Sequence, residues 1–347
     1  MVEYSVTTAG AAFEFDTVNG THNSCFKIDD THFINCWSGT NGYSQVFTVN
    51  TSTWAVTTAN NPTYFYYGTS DYHDCFSIDS NHYIVFYCAG SINCARVLEV
   101  NTSNWAITAK AVGGKYLGSG LGHNSCYQID SNHFINFWAG SGYDGFVQTF
   151  TVNTSTWAVT TAGASLEFDT VDGRYNSCYQ IDSNHFINFW GGSGNDGYAQ
   201  TFTVNTSTWA VTTAGASLEF DTVNGTYNSC CQIDSNHFIN FFSGDGADGF
   251  VQTFTVNTTT WEVTTAAASL EFDTTNGTYS SCYQIDSNHF INFWAGLDND
   301  GYVQVFEVEL PAGGGTNITI DGVDVTSITI DGTAVTSVTI DGVTVYS

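Results

Sequence analysis

Basic residues are scarce in this chain: Lys and Arg total 5 against 33 Asp and Glu, a net charge of −28. A surface of that sign repels phosphate backbones, so nucleic acid is not expected as a partner. Anionic membrane surfaces are disfavoured for the same reason. No apolar run approaches the ~18 residues of a spanning helix, so membrane insertion is not expected. The N-terminus shows no basic flank followed by an apolar stretch, so no secretory signal is read there. Proline occurs twice and charged residues make up 11% of the chain, which does not fit a disordered chain. A Walker loop, HExxH, a dinucleotide fingerprint and a triad signature are all missing.

What the chain does have is a repeat. His32, His82, His133, His185, His237 and His289 anchor six copies of one pattern, spaced 50, 51, 52, 52 and 52 residues apart. The third copy reads NSCYQID, HFINFWAG, GFVQTFTVN and WAVTTA, four short runs rich in aromatic and β-branched residues. Asp and Asn in DSNH and NTST can bond their own backbone, and glycines in GSGYDG permit φ > 0, so each run ends in a turn. Four strands at a fixed period of this length predict an all-β chain, a six-bladed β-propeller. The B–C loops and D–A crossovers then share one face of the disc, and the A–B and C–D turns share the other. The last copy stops at Leu310 without its fourth strand, while residues 1–17 match the TSTWAVTTAGASLEFDT segment, with Tyr4 where other copies have Trp54, Trp105, Trp157, Trp209 and Trp261. Residues 3–8 are therefore expected to close the sixth blade, leaving no free edge.

The order RYNSCYQIDSNHFINFWGG then QTFTVNTSTW resembles kelch-type propellers, with Trp190–Gly192 the closest match to their aromatic-Gly-Gly strand end. The resemblance spans residues 1–310 and implies architecture, not activity. Residues 311–317 form a Gly-rich linker. Residues 318–347 are three ten-residue units with Asp-Gly between alternating β-branched residues, the signal of a short hairpin. They are too few to bury a core alone, so attachment or self-association through them is expected. These TIDG units resemble the C-termini of tailed-phage tail and appendage proteins.

Several residue sets could carry chemistry. Glu167, Asp169, Glu219, Asp221, Glu271 and Asp273 are placed in D–A crossovers, with Asp196, Asp248, Asp298 and Asp300 in B–C loops on the same face. Oxygen donors of this kind suit Ca²⁺; turn chemistry and solvated charge are the plainer reading. Trp138, Trp190 and Trp294 belong to a sixfold aromatic position whose default reading is inter-blade core, with a ligand platform as the alternative. Arg96, Lys110 and Lys115 form a basic sector in blades two and three where a partner or ligand could dock. Asn50, Asn101, Asn153, Asn205 and Asn257 spell glycosylation sequons, but the turn explains them as well. Six of the ten cysteines are one repeated position, read as buried thiols. Cys88 and Cys94 flank a tight loop, so a cross-strand disulfide between them is plausible. The anchor histidines recur in every blade, which reads as structural.

Sixfold symmetry argues against one catalytic centre. The expected function is therefore non-enzymatic: a virion appendage or surface protein whose propeller binds a host receptor or glycan, anchored to a scaffold by residues 318–347. The alternative is a secreted or cell-surface lectin-like or filament protein. Either places the chain on a virion or outside a cell.

Overall fold

The computed structural model describes residue 15, residues 21–53, 55–68, 70–110, 115–284, 287–297 and 301–308, and short strands between 318 and 346. It divides into two compact units, Met1–Val305 and Phe306–Ser347. The first is a six-bladed β-propeller of antiparallel blades.

Blade four shows the plan. The innermost strand Arg174–Gln180 pairs with His185–Gly191, which pairs with Gly197–Val204. The outer edge is split: Val211–Thr213 and Leu218–Asp221 both pair with Gly197–Val204. This corrects one expectation. The Leu-Glu-Phe-Asp segments are not crossover loops but the second half of the outer strand, because the break at Ala214–Ser217 lets the chain return to the same ladder. In blade two the corresponding piece runs without interruption into the next blade as Lys115–Gln128.

The middle strands are buried on both faces, since each blade is packed against a neighbour on either side. Phe186, Ile187, Phe189 and Trp190 are all 1% exposed or less. Fully burying one such side chain contributes about 1.5–3 kcal/mol. The predicted turns form. Asp182 Oδ1 accepts the N–H groups of Asn184 and His185, and Asn205 Oδ1 accepts those of Ser207 and Thr208. The sequon asparagines are thus turn residues.

Blades are wired to one another. His133 stacks on Trp209 of the following blade with centroids 3.5 Å apart, and His32–Trp105, His82–Trp157 and His185–Trp261 repeat the contact. Each of these histidines also meets its own turn aspartate through Nδ1. Their role is inter-blade packing. On the inner strands, the N–H of Cys75, Cys178, Cys230 and Cys282 donates to the hydroxyl of Ser24, Ser125, Ser177 and Ser229 in the preceding blade.

Residues 3–8 lie outside the described residues, so their pairing is not seen. Phe15 is described, and it meets the edges of Trp37 and Phe47 of blade one at 5.1 and 5.6 Å. Phe168, in the outer strand of blade three, makes the same contacts with Trp190 and Phe202 of blade four, at 5.0 and 5.7 Å. Phe15 therefore stands where the outer strand of a preceding blade would stand.

The second unit contains three two-stranded antiparallel pairs. Ile318–Ile320 pairs with Val323–Val325, Thr329–Ile330 with Thr333–Ala334, and Val338–Ile340 with Val343–Tyr346.

Candidate functional site

The inner strands open onto a cavity of about 590 Å³ at the end of the channel where they begin. Its rim is a collar of aromatic rings, one from each of five successive blades: Tyr72, His123, Tyr175, Tyr227 and Tyr279. Neighbouring centroids are 4.1, 4.5, 4.4 and 4.5 Å apart. All five residues have φ between 52° and 56°, a left-handed conformation unusual for side chains of this size. Each sits in a bulge at the head of its strand, as the register break between Arg174 and Ser177 shows for Tyr175.

The strained backbone is held by a ring of amides. Asn124, Asn176 and Asn228 donate to the carbonyls of Tyr72, His123 and Tyr175 in the preceding blade. Their own Oδ1 atoms accept from Asn136, Asn188 and Asn240. Backbone strain sustained in this way at a concave site is a functional pointer. Burial, followed by hydrogen bonds to Tyr279 and Tyr175, raises the Tyr227 hydroxyl well above its usual range; burial also raises Tyr72. These hydroxyls remain protonated donors at neutral pH.

Blade two breaks the symmetry. His73 replaces the amide and lies 2.9 Å from Ser70 Oγ through Nε2. Asp74 replaces the next residue, a serine in every other blade, and accepts the N–H of Cys126 at 2.6 Å. Burial pushes its carboxyl up to about 6, against the pull of the Cys126 N–H. Ser281, its counterpart in blade six, lines the cavity.

The residues singled out from sequence fall elsewhere. Trp138, Trp190 and Trp294 are 3%, 1% and 7% exposed, which is the inter-blade core of the default reading and not the ligand platform of the alternative. Trp190 and Trp294 donate through Nε1 to Asp169 and Asp273. Asp169, Asp221 and Asp273 also cap the turns that follow them. Glu167 pairs opposite Phe146 on the outer strand. Asp196 interacts with Glu219 and Asp248 with Glu271. Lost hydration first, then the facing carboxylate, raises Asp196 and Glu271. Asp298 and Asp300 lie outside the described residues. Among the described residues, no three His, Cys, Asp or Glu side chains converge as a cation site would require.

Arg96 donates to the Phe65 carbonyl and Lys110 pairs with Glu99 at 2.6 Å, while only the backbone of Lys115 is described, opposite Ala95. Cys88 and Cys94 are free thiols, which corrects the expected disulfide. Cys88 is registered opposite Asn93 and Cys94 opposite Tyr87, so strand alternation turns the two sulfurs to opposite faces.

The collar was missed in the sequence, although a weak signal was there: an aromatic residue two places before each inner-strand Ser or Asp. Plain alternation points it between blades; only the bulge turns it to the channel.

No family model matches the chain, and no curated protein does. Solved structures share the fold. One from Bacteroides fragilis, provisionally assigned as a 6-phosphogluconolactonase, aligns with TM-score 0.62 at 12% identity, covering 83% of this chain and 80% of that one. Another so assigned, from Bacteroides uniformis, gives 0.63 at 9%, covering 82% and 80%. The periplasmic gluconolactonase PpgL of Pseudomonas aeruginosa gives 0.58 at 11%, covering 83% and 85%. At these identities the likeness establishes the fold. Against the expected non-enzymatic virion appendage or surface protein stand these three propellers, which are named for lactone chemistry and not for assembly. The symmetry argument weighed the turns and outer strands, which do repeat. The inner strands, where His123, His73 and Asp74 stand, do not.

Proposed function

We propose that the channel mouth is the active site of a hydrolase acting on an uncharged cyclic ester of a small polyol, a sugar lactone. The observation that carries this reading is the aromatic collar of the described residues, in which blade three supplies an imidazole, His123, between Tyr72 and Tyr175. Ring faces and amides suit a flat hydroxylated ring, and the cavity has the size of a small-molecule site. His123 takes a proton from water, and the hydroxide adds to the lactone carbonyl. A tyrosine hydroxyl of the collar donates to the developing oxyanion. The ring C–O bond then breaks, and the leaving alkoxide takes the proton back from the imidazolium, giving the hydroxy acid.

Among the described cavity-lining residues there is no Lys or Arg, which selects against a phosphorylated substrate. A phosphate would enter a net charge of −28, and Arg174, over the Tyr175 ring, is already paired with Asp172. The test is indicator-monitored hydrolysis of glucono-1,5-lactone and of its 6-phosphate. The full chain should accelerate the first well above buffer and the second poorly. His123→Ala should lose about 10²-fold or more in kcat. No acceleration by the wild-type chain, or full activity in His123→Ala, would overturn the assignment.

A further inference from the structure

Two blades depart from the repeat by placing a cysteine where the others have an aromatic ring. Cys36 occupies the position of Phe86, Phe137, Phe189, Phe241 and Phe293; Cys231 occupies that of Phe26, Phe76, Tyr127, Tyr179 and Tyr283. Each departure brings a second thiol against the repeated inner-strand cysteine of the next blade.

At the interface of blades one and two, Ser24 is registered opposite Cys36, and its hydroxyl accepts the N–H of Cys75 at 2.9 Å. Cys36 and Cys75 sit in one buried cluster, 0% and 3% exposed. At the interface of blades five and six, the Ser229 hydroxyl accepts the N–H of Cys282 at 2.9 Å, and the Cys282 Sγ–H donates to the Ser229 carbonyl at 3.4 Å. Cys231 follows Ser229 by two residues on the same strand, and so projects from the same face toward Cys282. Contact with the facing thiol, and then burial, raises Cys75 and Cys231 far above the usual thiol range. At the interfaces of blades three and four and of blades four and five, the repeated cysteine meets a serine hydroxyl instead: Ser125 with Cys178, Ser177 with Cys230.

We propose that Cys36–Cys75 and Cys231–Cys282 are two inter-blade dithiol sites that close into disulfides by exchange with a small-molecule disulfide. One thiolate attacks the small disulfide and releases one small thiol. The second protein thiolate then attacks the mixed disulfide and releases the other, so two protein thiols are oxidised and one small disulfide is reduced to two thiols. Buried, protonated thiols react slowly, so exchange requires the blades to part or occurs while the ring is assembling. The crosslinks staple the interfaces on either side of blades six and one.

The experiment is refolding of the full chain from urea in a glutathione redox couple, then denaturation, alkylation and non-reducing peptide mapping. Of the 10 cysteines, closure of both pairs leaves 10 − 4 = 6 alkylated, with Cys36–Cys75 and Cys231–Cys282 peptides linked and a raised melting temperature. Cys36→Ala and Cys231→Ala should each remove one link and leave the other. Reading the fully reduced variants by circular dichroism confirms that each still folds. Ten alkylated cysteines after oxidation, or links between other pairs, would overturn the proposal.

Discussion

Blades four and five are near copies, whereas blade two keeps their backbone plan and replaces the polar wiring inside it. In blades four and five, Asn188 and Asn240 in the second strand donate to Asn176 and Asn228 of the first, and Gln200 and Gln252 reach the carbonyls of Gly215 and Ala267. In blade two those positions are Val85, fully buried, and Arg96, which reaches back to the Phe65 carbonyl of blade one. His73 and Asp74 replace the amide and the serine of the inner strand. The backbone ladder tolerates either set because the Asn and Gln amides and the Arg96 guanidinium each reach an oxygen acceptor. The ring can therefore vary its inner chemistry in one sector without changing its architecture, and that sector borders the collar's imidazole.

The largest effect should come from removing what all blades share. Phe189 is fully buried, and Phe189→Ala should cost about 3–5 kcal/mol in denaturant unfolding. Cys36→Ala, at the matching place in blade one, should cost far less because so little volume is lost. Equal losses would mean that the two blades pack alike despite the exchange.

Asp74 distinguishes blade two by pH. Its folded carboxyl is raised to about 6 from 3.8, so the folded state holds a proton that the unfolded chain has released. The stability it contributes is present below pH ~4 and is lost as pH rises through ~6, an effect on the order of 2–3 kcal/mol. Asp74→Ser restores the residue of the other blades. Melting curves from pH 4 to 7 should show the variant gaining on wild type as pH rises; parallel curves would refute the burial account.

A smaller effect is expected at the anchor histidines. His82 meets both Asp79 and, at 3.6 Å, Glu99, whereas His185 meets Asp182 alone among the ion pairs described. His82→Ala should therefore destabilise more than His185→Ala, by about 0.5–1 kcal/mol. Salt titration of the difference checks it, since the ionic part should shrink as salt is added.

Much of the ring was legible in the residues themselves, and for local reasons. The Asp-x-x-His turn closes with bonds between residues at most three apart, as Asp182 and His185 show. The Asn turn at Asn205 is equally short-range, and the period follows from counting such turns. The Leu-Glu-Phe-Asp strand was misplaced because nothing within it tells a crossover from a ladder; its partner, Gly197–Val204, lies across a turn. The stack of His133 on Trp209 could not be read at all, since it joins residues of different blades.

The chain's own residues, then, were enough for the all-β class, six blades, the turns and the cysteine position, buried at Cys75, Cys126, Cys178 and Cys230 though not at Cys25, because each rests on contacts within one hairpin or on a repeated spacing. Tertiary structure alone decided which way the side chains face. The bulge at Tyr175 turns a ring from the blade interface into the channel. Packing by neighbouring blades hides Trp190 and brings Cys36 to Cys75. Those outcomes depend on how one blade's face meets the next, and a blade's face is set by twist and register across the ring, not by the residues at its own ends.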